Sequence, residues 1–128
     1  MAEIAKRSGC GLLFDVNNVF ISATNHNYKP IDYINAYPLH LVQEIHLAGH
    51  SQDEDDQGDT LLIDAHDREV CDDVWDLYRF TLSKTGPVPS LVEWDNDIPS
   101  WEVLAAEALK ADQILGTNRA DKNAEQRQ

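Results

Sequence analysis

The chain is predicted to be α/β, with parallel strands alternating with helices as in part of a β/α barrel. Three observations predict this. Residues 11–14, 41–45 and 90–92 are short runs with apolar residues at adjacent positions, a pattern that implies burial on both faces of a sheet covered by helices or closed on itself. Glycine and proline punctuate the stretches between them. Potential metal ligands sit just after these runs, and in a β/α barrel the carboxyl ends of the strands open onto one face, where catalytic groups come from several strand ends at once.

In order along the chain, residues 2–7 read as the end of a helix, stopped at Ser8-Gly9 by a glycine that tolerates a left-handed helix terminus. The strand at 11–14 follows. Pro30 can occupy the first turn of a short helix through residues 31–37, which Pro38 stops, and the next strand spans 41–47. A polar stretch at 51–59 leads to the brief apolar Leu61-Leu-Ile63. Val74, Leu77, Tyr78 and Leu82 recur at helical spacing behind the acidic start Asp72-Asp73, so 71–84 reads as an amphipathic helix whose first charges suit the helix dipole, ended by Gly86-Pro87. Ser90-Leu-Val-Glu93 is the third strand. Pro99 opens a last helix with apolar Val103, Leu104, Ala108 and Leu115, and Gly116 suits its terminus. From Thr117 to Gln128 no apolar residue larger than alanine occurs, so 117–128 is expected to be a polar, disordered tail beside a domain portion at 1–116. Three strands alone leave two unpaired edges, so this order of elements reads as a piece of a larger domain.

The 128 residues are 42% hydrophobic, enough for one packed core. The formal net charge of −13 argues against nucleic acid or an anionic membrane surface as partner, because both demand clustered Lys and Arg. Part of that charge has a use in a cation site, where metals relieve the repulsion between carboxylates. Cys10 and Cys71 form neither a disulfide framework nor a C-x-x-C pair. Neither a leader nor an apolar run of about 18 residues is visible, and a cytoplasmic protein is expected.

The candidate ligands follow from residue type and position. Asp15-Val-Asn-Asn18 leaves a strand with two oxygen donors three residues apart, which hard cations accept, although a turn-forming Asx cluster has the same spelling. In Glu44-Ile-His-Leu-Ala-Gly-His50, His46 shares a strand face with Glu44, and Gly49 lets the chain bend and bring His50 near the rim. A lone strand histidine is usually a satisfied core group. Asp64-Ala-His66 just beyond reverses that preference, since carboxylate and imidazole two residues apart on an extended segment face one side. Asp67 can accept from a ring N–H or cap a helix. Glu93, a carboxylate on a buried strand end, is costly unless paired or metal-bound and is the best candidate for a bridging ligand. Asp95 and Asp97 decorate the loop beyond it, and Trp94 packs nearby. Asp53-Glu-Asp-Asp56 lacks the spacing of a calcium loop and reads as a solvated acidic segment. No G-x-S-x-G or G-x-x-x-x-G-K occurs, so metal chemistry is what remains.

Four ordered strings, Gly11-Leu-Leu-Phe-Asp-Val-Asn-Asn18, Glu44-Ile-His-Leu-Ala-Gly-His50, Leu61-Leu-Ile-Asp-Ala-His-Asp67 and Leu91-Val-Glu-Trp-Asp95, resemble the multinuclear non-heme iron-dependent oxidative enzymes (MNIO), formerly the domain of unknown function 692 family. The resemblance runs from about Met1 to Leu115. It implies a TIM-type (β/α) barrel of the xylose-isomerase-like kind, of which this chain supplies about the last three strand-helix units, with two or three irons at the strand carboxyl ends. Characterised members use dioxygen to modify cysteine residues of ribosomally made peptides, as in methanobactin biosynthesis, often beside a partner protein that holds the precursor peptide. The ligand positions implied are Asp15, Asn18, His46, Asp64, His66 and Glu93, with His50 close by and Glu93 and His50 in catalytic roles.

Family members carry an earlier half with further ligands, so the resemblance also implies that this part works with an amino-terminal barrel half or by self-association. Two other readings stand beside the oxidase. One is a divalent-metal isomerase or hydrolase on the same barrel, and the other is a non-catalytic assembly partner with a vestigial pocket.

Overall fold

The computed structural model describes residues 1–125. In chain order it contains α1 (Ala2–Ser8), β1 (Leu12–Asp15), α2 (Val16–Asn25), α3 (Pro30–Ala36), β2 (Val42–Ala48), β3 (Ser51–Glu54), β4 (Thr60–Ile63), α4 (Asp72–Thr85), β5 (Ser90–Glu93) and α5 (Trp101–Glu125). A parallel sheet of order β1-β2-β5 is joined by helical crossovers, and β3 and β4 form a separate antiparallel pair. Among the described residues no helix is long and apolar enough to cross a membrane.

Strand alternation divides the sheet into two unlike faces. Phe14, Ile45 and Leu47 point to one face and are buried there in the core that also takes in residues of α2 and α4. From α4, Val74, Trp75, Leu77, Tyr78 and Leu82 meet this layer at spacings of three and four, so the predicted periodicity becomes the core. Each such side chain contributes roughly 1.5–3 kcal/mol by leaving water. Asp72 and Asp73 begin α4, Lys84 lies in its last turn, and the Gly86 N–H closes it on the Leu82 carbonyl at 2.8 Å.

The other face carries Leu13 and Asp15 on β1, Glu44 and His46 on β2, and Leu91 and Glu93 on β5. The register sets Asp15 beside His46 and His46 beside Leu91, with Ala48 beside Glu93. This face is open at its outer strands. Leu13 is 51% and Leu91 48% exposed, which corrects the expectation of burial on both sides for β1 and β5. On the central β2 the same face stays covered at His46 and Ala48, both buried.

Three other expectations change. The span after Asp15 is a ten-residue helix rather than a bare turn. Its apolar Val16, Val19 and Ala23 were masked by interleaved asparagine, serine and threonine, which are poor helix formers. The polar stretch after His50 pairs as β3 with β4, with Ser51 opposite Ile63 and Glu54 opposite Thr60. Its strand character comes from backbone pairing and not from burial, so hydrophobicity could not reveal it. Finally, the helix expected to stop at Gly116 continues to Glu125. Gly116 adopts no left-handed conformation there, and the alanines, lysine and glutamate beyond it favour helix enough to offset a glycine cost of about 1 kcal/mol. Of the tail expected at 117–128, residues 126–128 lie outside the described residues.

Candidate metal centre

The six candidate side chains come from β1, the start of α2, β2, β5 and the segment that follows β4. Asp15 closes β1 and caps α2, where its Oδ1 accepts the Asn18 backbone N–H at 2.8 Å. Asn18, one turn into α2, is thereby turned back over the strand end. His46 rises from β2, Glu93 ends β5, and Asp64 and His66 follow β4 directly.

These six residues form a closed ring of contacts. The His46 Nδ1 meets Asp15 Oδ2 at 2.7 Å and its Nε2 meets Glu93 Oε2 at 2.6 Å. The same Glu93 oxygen lies 3.4 Å from His66 Nδ1, and His66 Nε2 lies 3.0 Å from Asp64 Oδ1. Asn18 Nδ2 then donates to Asp64 Oδ2 at 3.0 Å and to Asp15 Oδ2 at 2.8 Å, which closes the circuit. Within it, one donor atom each from His46, His66 and Glu93 lies within 4.8 Å of the others, close enough to hold one metal ion. The structure therefore brings together all six residues singled out as ligands.

The electrostatics follow from imidazole packed between carboxylates. The hydrogen bond to Asp15 raises His46 to about 9, against the opposing effect of burial and with help from the charges of Asp15 and Glu93 and the hydrogen bond to Glu93. Burial pushes Asp15 upward. It is outweighed by hydrogen bonds from His46 and from the backbone and side chain of Asn18, and by the charge of His46, so the carboxyl ends below its usual value. Without metal, an imidazolium therefore bridges two carboxylates, each ring N–H donating to one of them. His66 makes the same point differently. In its neutral form it donates Nε2–H to Asp64, and its Nδ1 lone pair then faces the Glu93 carboxylate, an arrangement that favours a cation between them.

The backbone around His66 is unusual and tightly held. His66 has φ 50, in the left-handed region, and its carbonyl accepts the N–H groups of Asp95 and Asn96 at 3.0 Å each. Asn96 Nδ2 also donates to the Ala65 carbonyl at 2.7 Å, and the His66 N–H donates to Gly49 O at 3.1 Å. A Cβ on Gly49 would stand 2.0 Å from the Arg68 carbonyl oxygen, so this glycine permits close approach of the 66–69 segment, beyond the bend expected of it.

His50 stands outside the ring. Its Nδ1 meets Asn17 Oδ1 at 2.9 Å, and its ring packs 5.3 Å from Phe20. Burial, and after it the charge of Arg68, hold it below its ordinary value. Asp67 is bonded to Arg68 at 2.8 and 3.0 Å and to no histidine, so the acceptor role considered for it is not what it does. Glu93, expected on a buried strand end, has a side chain 40% exposed because the sheet face it stands on is open. The acidic segment is solvated as expected: Asp53 to Asp56 are exposed, and the carboxylates of Asp53 and Asp55 receive neighbouring backbone N–H groups.

Sequence reasoning missed Asn17, which is fully buried and donates to Asp64 Oδ1 at 2.7 Å. It also missed Asn96. The first carries no local signal, since its partners lie 33 and 47 residues away. The second depends on a loop path that no local pattern encodes.

Comparison with known proteins places this geometry in context. The chain is 50% identical over 117 residues to a UPF0276 protein of Rhizobium meliloti, covering 91% of this chain and 38% of that protein. It is 51% identical over 111 residues to one from Paraburkholderia phytofirmans, covering 87% and 36%, and 45% identical over 119 residues to one from Acaryochloris marina, covering 93% and 41%. The chain thus spans somewhat more than a third of the length of these curated relatives. The family model described as "RiPP precursor modification enzyme MbnB/TglH/ChrH" matches residues 1–116, and with nearly the whole chain matched, the protein belongs to that family.

Proposed function

We propose that the chain forms the last three strand-helix units of a TIM-type barrel of the xylose-isomerase-like kind, and that its ring of ligands serves an iron-dependent oxidase. In this reading the enzyme uses dioxygen to modify cysteine residues of ribosomally made peptides. The observation that carries the proposal is the closed ring: six residues from four separate stretches of sequence converge on one cluster of imidazole, carboxylate and amide groups. The family membership supplies the substrate class, a ribosomally made precursor peptide.

The donor set fits iron. Two imidazoles, three carboxylates and one amide make a mixed nitrogen and oxygen environment, and neither cysteine belongs to the ring. Asp15, Asn18, His46, Asp64, His66 and Glu93 would hold the metal, within a complete centre of two or three ions. Bound iron would supply dioxygen activation and a coordination position for the substrate thiolate, for oxidation of a C–H bond next to sulfur. Glu93, which touches both histidines through one oxygen, would serve as a bridging ligand in this reading, and His50 would take a catalytic role. A partner protein that presents the peptide, completion by an amino-terminal barrel half or by self-association, and a cytoplasmic setting belong to the same proposal.

Anaerobic reconstitution with ferrous iron tests it, with metal counted per chain for the wild type, for His46→Ala and for Glu93→Gln. Retention of at least one iron by the wild type and its loss in both variants is expected. A chain that retains none, alone or beside the amino-terminal portion of the Rhizobium meliloti relative, contradicts the proposal, as does equal retention in the variants.

A further inference from the structure

Three polar side chains of the described residues are buried: His46, Thr81 and Asn17. His46 belongs to the ring, and Thr81 returns its hydroxyl to the Leu77 carbonyl of its own helix. Asn17, outside the ring, spans two other groups. It lies in the first turn of α2, where an apolar residue would pack without cost, and a buried carboxamide is unfavourable unless both its ends are bonded. Both are.

The bonding fixes more than position. One end of the carboxamide is 2.7 Å from Asp64 Oδ1, and a carboxylate only accepts, so that end is the NH₂ group. The other end is then the carbonyl oxygen, which also only accepts. It lies 2.9 Å from His50 Nδ1, so this nitrogen carries the proton. A neutral His50 is therefore the Nδ1–H tautomer, the reverse of the form that free imidazole side chains prefer in water, and its lone pair is on Nε2. Among the described residues Nε2 makes no hydrogen bond.

We propose that Asn17 is a positioning residue of the centre: it ties Asp64 to His50 and imposes on His50 the tautomer that keeps the Nε2 lone pair available to a metal or a substrate proton. Its effect on metal binding rests on the reading of Asp64 as a ligand. Its effect on the tautomer does not.

The test begins with the metal-free wild-type chain labelled with ¹⁵N in its histidines. Long-range ¹H–¹⁵N correlations, assigned with His50→Gln, should show a protonated Nδ1 and an unprotonated Nε2 at His50. The opposite pattern overturns the proposal. Asn17→Asp gives up the donor to Asp64 but keeps an acceptor toward His50 and should leave its Nδ1 protonated, whereas Asn17→Leu should shift His50 toward Nε2–H and weaken ferrous iron binding by roughly ten- to hundredfold. A folded Asn17→Leu chain with unchanged tautomer and iron affinity also overturns it. Should that variant not fold, the wild type and Asn17→Asp still decide, since loss of the tautomer in Asn17→Asp counts against the proposal. A wild type that shows the expected tautomer but binds no iron supports the role of Asn17 and refutes the metal reading alone.

Discussion

His46 holds a proton that a metal at the proposed centre would have to displace. Its folded value of about 9 lies above the unfolded 6.5, so its interaction with Asp15 and Glu93 stabilises the metal-free chain fully below pH 6.5 and is lost as pH rises through 9. The contribution is on the order of 3 kcal/mol, little screened by water because the His46 imidazole is buried. Denaturant unfolding of the metal-free chain should show stability falling across that window, and His46→Gln should flatten the profile. A wild-type profile as flat as the variant's rules out the imidazolium bridge. Metal binding runs against the same proton. Calorimetry near pH 7 in two buffers of different ionisation enthalpy should report release of about one proton per ferrous ion from this residue. An enthalpy independent of buffer would mean that His46 is not displaced by the metal.

At the scale of elements, the centre depends on a hairpin that looks peripheral. Asp64 and His66 follow β4 directly, so the position of the hairpin is their position. Asn25, the last residue of α2, fixes it by donating to the Leu62 carbonyl and accepting the Leu62 N–H, both at 2.8 Å. Asn25→Leu should cost roughly 1–3 kcal/mol by leaving a buried backbone pair unmet, and should lower iron affinity without touching a ligand. In hydrogen exchange, the amides of 51–63 should lose protection while those of β2 keep theirs; uniform loss would argue against a local clamp. The clamp also explains what the sequence did and did not reveal. Asp15, His46 and Glu93 were legible because strand ends announce themselves by an apolar run that stops at a polar residue. The hairpin was illegible because Ser51-Gln-Asp-Glu54 is held by backbone pairing with β4, and β4 by the Asn25 side chain 37 residues before Leu62. Asn17 was illegible for the same reason, since its partners lie 33 and 47 residues off.

The whole molecule leaves apolar surface and backbone unpartnered. The outer edges of β1 and β5 carry no neighbouring strand among the described residues, and Leu13 and Leu91 stand exposed on the open sheet face, with Ile98 and Trp101 exposed just beyond β5. Such edges template association. Against this stands the net charge of −13, which makes copies repel one another at long range. The balance gives a prediction with a sign. The chain produced alone should self-associate in sedimentation velocity, and more strongly as salt is raised, because screening over about 8 Å at physiological ionic strength weakens the repulsion and leaves the apolar contacts intact. Leu13→Lys combined with Leu91→Lys should return it toward monomer by removing apolar contact from the open face. Adding the amino-terminal portion of a relative should compete with self-association, because both would use the same edges. A monodisperse wild-type monomer that unfolds cooperatively at every salt concentration would show that these surfaces need no covering, and the proposed completion by a further barrel portion would lose its physical motive.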